Sequence, residues 1–325
     1  MATATWDQRG RDARSPKDIP AKGWKDTMVR VKKEIKDDRI SLVSAAMAYY
    51  ALFSLVPALT SVVLIYAWVS DPSDITQHIS RISQFIPSEL QEILKTQLST
   101  LASTASSSLG IGAIFSLLLS LWAASKMSKA VIQAMNIIYD EEDGRGFFKL
   151  NGLALSLTLL GAVLSIIAIG VIIGIPAVTS LFNFPQVIET AVSIGSWVIL
   201  LALFSFFLSI IYRFGPNRSK AKWKWVSWGA VIAAVLWAIT SLLFSWYAKE
   251  FGNFNKTYGS LGAVIVLMTW FYLSSFVILL GGEINAELEH QTSIDSTRGK
   301  PKPMGKRNAV MADTLGDTFD KKSEA

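Results

Sequence analysis

Side chains able to do chemistry are few in this 325-residue chain, and they lie far apart. There is no cysteine, which excludes a disulfide framework, thiolate metal sites and thiol nucleophiles together. The two histidines, His78 and His290, fall in segments that the topology below puts on opposite sides of a membrane, so they cannot share a metal or a triad. No His-Glu-x-x-His pattern and no paired aspartates of metallonuclease type occur. The acidic run Asp140-Glu141-Glu142-Asp143 lacks the alternating spacing of a calcium loop and reads as a solvated turn. A phosphate loop of the form Gly-x-x-x-x-Gly-Lys-Ser/Thr is missing too, which leaves no visible means of using ATP.

More informative are polar groups set within or at the ends of apolar stretches, because each is costly in hydrocarbon. Lys126 and Lys129 lie about 25–30 Å along a helix starting at Leu109, at ~1.5 Å per residue. Glu283, Asn285 and Glu287 follow the last apolar stretch at the same depth, and Arg39 precedes the first. Snorkelling to the interface explains each one singly; a cluster in which Lys126 meets Glu283 explains them jointly. Tyr49, Tyr50, Ser54 and Pro57 sit inside the first stretch, where Pro57 frees the carbonyl of Phe53 and should kink the helix, by packing or as a hinge lining a cavity. Gly170 and Gly174 have the spacing of a close helix contact, a weak signal in a span.

The elements that position these groups follow from composition. Hydrophobic residues make up 51% of the chain and charged ones 17%, against roughly a quarter charged in a soluble domain. Mean hydropathy is +0.38. Six stretches can cross a ~30 Å core, which takes about 20 helical residues: about 40–69, 109–125, 150–182, 187–212, 225–247 and 258–282. The second continues its apolar periodicity to Ile138, and Pro176 should bend the third. The net charge of +6 is then an excess of cations on one side rather than a nucleic-acid footprint. Alternate segments hold 27 and 4 of the 31 Lys and Arg, so the positive-inside rule places both termini in the cytoplasm. Trp223, Trp225 and Trp228 at one end of the fifth stretch, and Trp246 with Tyr247 at the other, read as interfacial belts.

Outside the spans, residues 1–23 and 291–325 read as disordered arms flanking a membrane domain at 24–290. No secretory signal is visible. Trp24, Met28, Val31 and Ile35 recur at helical spacing beside Lys32, Lys33 and Lys36, as in a basic helix on the inner leaflet or a plain soluble one. The outer loop, Asp71–Ser108, carries two amphipathic stripes, Ile75-Ile79-Ile82-Ile86 and Leu90-Ile93-Leu94-Leu98-Leu101. Ser88 and Gln91 form a capping box that starts the second after Pro87. The pair caps the bundle or lies in the outer leaflet.

Three blocks are familiar. Residues Asp38–Pro57 resemble the start of the first helix of the YihY/BrkB family. So do Leu121-Trp122-Ala123-Ala124-Ser125-Lys126 leading to Asn136-Ile137-Ile138-Tyr139. The third block is Tyr258-Gly259-Ser260-Leu261-Gly262-Ala263, then Trp270–Ser274 and Leu280–Leu288; family members have Gly-Ala-Glu where Gly281-Gly282-Glu283 stands. The resemblance implies a bacterial inner-membrane protein with six helices and no settled activity. Members carry an inherited ribonuclease BN label, are called virulence or serum-resistance factors, or are linked to export of lipids. No acidic metal cluster or aromatic–basic groove in these residues supports a ribonuclease.

The expectation is therefore an all-α, six-helix transmembrane bundle with a two-helix amphipathic outer loop. Its function would be movement or handling of a lipid or other amphiphile. The alternatives are a non-transporting scaffold for envelope assembly and, third, a membrane-bound ribonuclease. Candidate functional residues are Tyr50, Pro57, Lys126, Asn136, Tyr258, Gly259, Trp270, Glu283 and Asn285. Arg213, Arg218, Lys220, Lys222 and Lys224 would meet anionic headgroups, each at about 1 kcal/mol near the surface. No cofactor, metal or nucleic acid is expected; the partners are membrane lipids, with a second copy or envelope proteins as further ones.

Overall fold

The computed structural model describes residues 8–69, 111–179, 185–251 and 260–319. Among them helices dominate, and no strand forms beyond one isolated bridge between Ala221 and Thr297. An amphipathic helix, α1 (Ala21–Asp37), leads into six long ones: α2 (Ile40–Val69), α3 (Ile111–Ile138), α4 (Phe147–Thr179), α5 (Gln186–Phe214), α6 (Trp223–Phe251) and α7 (Ser260–Glu289). These are apolar around nearly their whole circumference, as helices in lipid must be when water cannot satisfy their backbone. Over the described side chains, Phe147–Ile172, Gln186–Phe214, Trp223–Ala248 and Val264–Glu289 are long and apolar enough to cross a membrane, and Ile40–Leu55 is a shorter apolar helix.

The centre of the bundle is α7, which packs on α6, α2 and α1 and touches α3 and α5. The chain-order neighbours α2 and α3, α3 and α4, α4 and α5, and α5 and α6 also pack. The core crowds towards one end. It takes Ile40 and Met47 from α2, Ile132 and Met135 from α3, Leu208 and Tyr212 from α5, Val226 and Ala230 from α6, and Leu279 from α7. That end gathers the start of α2, the α3–α4 and α5–α6 connections and the end of α7, so it is called the polar end below.

Several expectations need correction. The arms read as disordered are tied down over residues 8–22 and 291–319. Arg11 donates to the carbonyls of Gln291 (3.3 Å) and Gly316 (2.5 Å), and Arg307 donates to those of Ala312 (2.5 Å) and Ser293 (2.7 Å). The partners of Arg11 lie hundreds of residues away in sequence, where local composition cannot reveal them. Trp225 is core rather than belt, packed with Val31, Ile284 and Leu288, and Trp228 meets Trp24 with ring centroids 6.1 Å apart. Trp223, Trp246 and Tyr247 are exposed.

Gly170 and Gly174 make no close contact, since a Cβ at either would meet nothing within 4 Å. The close approach is at Gly229 and Gly281, where α6 crosses α7. α1 turns Gly23, Asp26, Thr27, Arg30 and Val31 onto the protein and leaves Met28 exposed. The outer helical pair at 71–108 lies outside the described residues.

Candidate functional site

Four polar residues close α7: Glu283, Asn285, Glu287 and Glu289, none more than 1% exposed. At about 100° per residue, Glu283 and Glu287 share one face while Asn285 and Glu289 share the opposite one. The first face meets α1 and the α1–α2 corner; the second meets α6 and the α5–α6 connection.

On the second face Asn285 joins two helices. Its Oδ1 accepts from the N–H of Gly229 (2.8 Å), and its Nδ2 donates to the carbonyl of Val226 (2.9 Å). One turn on, Glu289 takes a forked pair of bonds from Arg218, at 3.1 and 2.5 Å, and a third from the Ser296 hydroxyl at 2.6 Å. Both side chains are enclosed, at 1% and 0% exposure, and the guanidinium lies 4.2 Å from the Tyr139 ring centroid. Burial works against the Arg218 charge, but Glu289 outweighs it and raises its pKa. Arg218 is thus a lock between connection and helix, and a headgroup contact there is corrected. Lys222 donates to the Asp295 carbonyl (2.7 Å), Arg213 stacks on Trp223 (4.2 Å) and Lys220 on Phe214 (4.6 Å). Lys220 and Lys224 are exposed.

On the first face Arg30 of α1 ion-pairs with Glu287. Its guanidinium also donates to the Glu287 carbonyl (3.0 Å), Gln291 Oε1 (2.8 Å) and the Asp317 carbonyl (2.8 Å). One side chain thereby binds α1, α7 and the tail. Glu283, one turn back, has no such partner. Among the described residues no donor reaches either of its oxygens, so the meeting with Lys126 does not form. Lys126 is exposed and sits 4.8 Å from the Trp122 ring, because i, i+4 spacing puts both on the outward face of α3 while Ala124 and Ser125 turn inward.

Asn136 ties α3 to the next connections, accepting from the Asn217 N–H (2.8 Å) and donating to Asp143 (3.1 Å). Arg145 donates to both Asp143 oxygens (2.7 and 2.8 Å) and holds that carboxyl below its usual range, while Asp140 and Glu142 of the same run are exposed. Tyr50 is exposed beside Tyr49, which packs on Phe53 with centroids 4.7 Å apart. Pro57 sits within an unbroken α2, its carbonyl accepting from Ser61 Oγ at 2.9 Å. Trp270 faces Trp237 at 6.0 Å. Tyr258 and Gly259 lie outside the described residues. Sequence reasoning missed Gly229, Arg30 and Glu289; the last two follow the i, i+4 and paired-charge logic once the tail is known to be ordered.

Fold and site together define a helical membrane protein whose polar end is interlocked by buried side chains. The chain belongs to the virulence factor BrkB family, which matches residues 31–306. It is similar to a Bacillus subtilis ribonuclease-like protein, YfkH, at 31% identity over 256 residues, 77% of this chain and 90% of that one. It is also similar to a UPF0761 membrane protein of Tolumonas auensis, at 27% identity over 82% of this chain and 87% of the relative. A UPF0761 membrane protein of Photobacterium profundum is 26% identical over 83% and 82% respectively. No solved structure matches the chain.

Proposed function

We propose that the chain crosses a bacterial inner membrane six times, with both termini in the cytoplasm, and moves or handles a lipid or another amphiphile across it. One observation carries this reading: burial is graded along the helices. The buried residues of α5 are Leu208, Ser209, Ile211, Tyr212 and Arg213, all in its last two turns, and those of α6 crowd its first three. Further along, the same helices turn Val187, Ile194, Trp197, Leu242, Leu243 and Trp246 outward. A bundle locked at one end and apolar-faced along the rest suits a cargo with a greasy tail and a polar head. In the six-span arrangement the polar end is cytoplasmic, since it gathers the segments holding 27 of the 31 cations.

Vesicles reconstituted with the purified protein should exchange labelled lipid between leaflets faster than protein-free vesicles. Equal rates would remove the transport reading. The ordered arms favour a second reading, a scaffold, because residues 8–37 and 290–319 form a fixed surface a partner could dock on. That reading gains if lipid exchange is unchanged and deletion of 292–319 alone gives the loss of function. We propose also that the chain is not a ribonuclease, an expectation resting on a sequence without a metal-binding acidic cluster or an aromatic–basic groove for RNA. RNA incubated with purified protein should stay intact.

A further inference from the structure

Glu283 stands apart from the other acids of α7. It is 0% exposed, and among the described residues neither carboxylate oxygen has a hydrogen-bond donor. The group nearest it in effect is another acid, Asp38, at the corner between α1 and α2, followed by Glu287 and Glu34. Two buried cations of this end are engaged elsewhere: Arg30 with Glu287, and Arg218 with Glu289. An ionised Glu283 would be a buried charge with no compensating partner, next to a second one. Two facing carboxyl groups can relieve this by holding one proton between them, so that one O–H donates and the other group accepts.

We propose that Glu283 and Asp38 form a proton-binding site, which holds one proton between the two carboxyl groups and exchanges it with water on the side that Asp38 faces. Asp38 is half-buried and lies beside the exposed Asp140, whereas Glu283 has no exposure, so the proton passes through Asp38. Burial pushes the Asp38 carboxyl up to about 6, with Asp140, Glu34 and Asp37 adding to it and the side-chain approach to Glu283 acting the other way.

The corner that carries Asp38 has a defined backbone. Arg39, the next residue, has φ of 51°, a left-handed state that an L-residue other than glycine, asparagine or aspartate rarely adopts, and it fixes the corner that presents Asp38. The remaining titratable groups facing the pair are Glu34 and Asp37 from α1, Tyr139 and Asp140 from the end of α3, and Glu287 with His290 behind it from α7. Loss of the shared proton would set two like charges face to face and push the α1–α2 corner off α7. The site is separate from any cargo and stands whether or not the chain moves a lipid.

The test is an infrared pH titration of the full chain in phosphatidylcholine nanodiscs. A protonated-carboxyl band should persist at neutral pH and be lost in Glu283→Gln, whose amide can donate to Asp38 in the proton's place. Asp38→Asn serves as a second variant at a half-buried position, and it should move the midpoint of the band by about one pH unit or more. The sign for stability follows from the raised Asp38: at low pH Asp38 carries a second proton, whose contribution is complete below the ordinary 3.8 and is lost as pH rises through about 6, while the proton shared with Glu283 stays on. The melting temperature of the unmodified chain should therefore drop across that window, and that of Asp38→Asn should drop less. Absence of the band at neutral pH, its survival in Glu283→Gln, or an unmoved midpoint in Asp38→Asn would overturn the proposal. So would a band that vanishes when sodium replaces potassium at fixed pH, since a metal cation would then occupy the site.

Discussion

Gly229→Ala should destabilise the folded protein by about 3–5 kcal/mol and cut its yield from membranes severely, the sum of overpacking and lost hydrogen bonds. A Cβ at Gly229 would clash with the Gly281 carbonyl and lie 2.6 Å from the Asn285 side chain. Neither can retreat, since the first is helix backbone and the second is held at both ends of its amide. The backbones of α6 and α7 must separate, which breaks the Asn285 bonds to Gly229 and Val226 and strains the bond from Tyr212 Oη to the Ile278 carbonyl, now 2.7 Å. Gly281→Ala should behave alike, because its Cβ would sit 2.5 Å from Tyr212 Oη and 2.6 Å from the Ala233 Cβ. Gly170→Ala and Gly174→Ala are the controls, with open space around both, and should leave the melting temperature unchanged or slightly higher. Thermal melts in detergent compare all four.

Arg218→Ala should cost about 3–5 kcal/mol, because it leaves Glu289 buried without its cation. The Ser296 hydroxyl would remain as a neutral donor, too weak to hold a full charge at 0% exposure. The double change Arg218→Met with Glu289→Leu should recover most of the loss, since removing both charges removes the desolvation penalty as well. Lys224→Ala, exposed on the first turn of α6 just past that connection, should stay within about 0.5 kcal/mol. If the lysine change were as costly as the arginine change, this connection would be held by general surface charge rather than by one enclosed pair.

The apolar helices were legible because lipid imposes two simple constraints, length and apolarity. The α3 run past Ser125 to Ile138 could be followed by periodicity for the same reason. What stayed hidden is contact between distant segments. Composition marks the tail as polar and rich in Pro and Gly, yet Asp295 and Arg307 fold it into a cap against α7, with Thr297 and Lys302 N–H groups bonding Asp295 at 2.8 Å. The pairing of Glu283 with Lys126 rested on equal depth along two helices. Depth says nothing about azimuth, and Lys126 points away. Gly229 carries no sign of its role, because a glycine in a span looks the same whether it faces lipid or another backbone. Asn136 and Asn285 were picked out on motif grounds; the structure places Asn136 as a tie between α3 and the connections beyond it, and Asn285 as a tie between α7 and α6.

The most direct test of the central claim, that the interlocked polar end faces the cytoplasm, uses the chain's lack of cysteine. A single cysteine placed at Ser80, in the segment between α2 and α3, or at exposed Lys300, in the tail, gives a unique thiol. A membrane-impermeant thiol reagent added to cells with intact inner membranes should label the first and leave the second unlabelled until the membrane is broken. Labelling of Lys300→Cys in intact cells, with Ser80→Cys protected, would contradict the orientation.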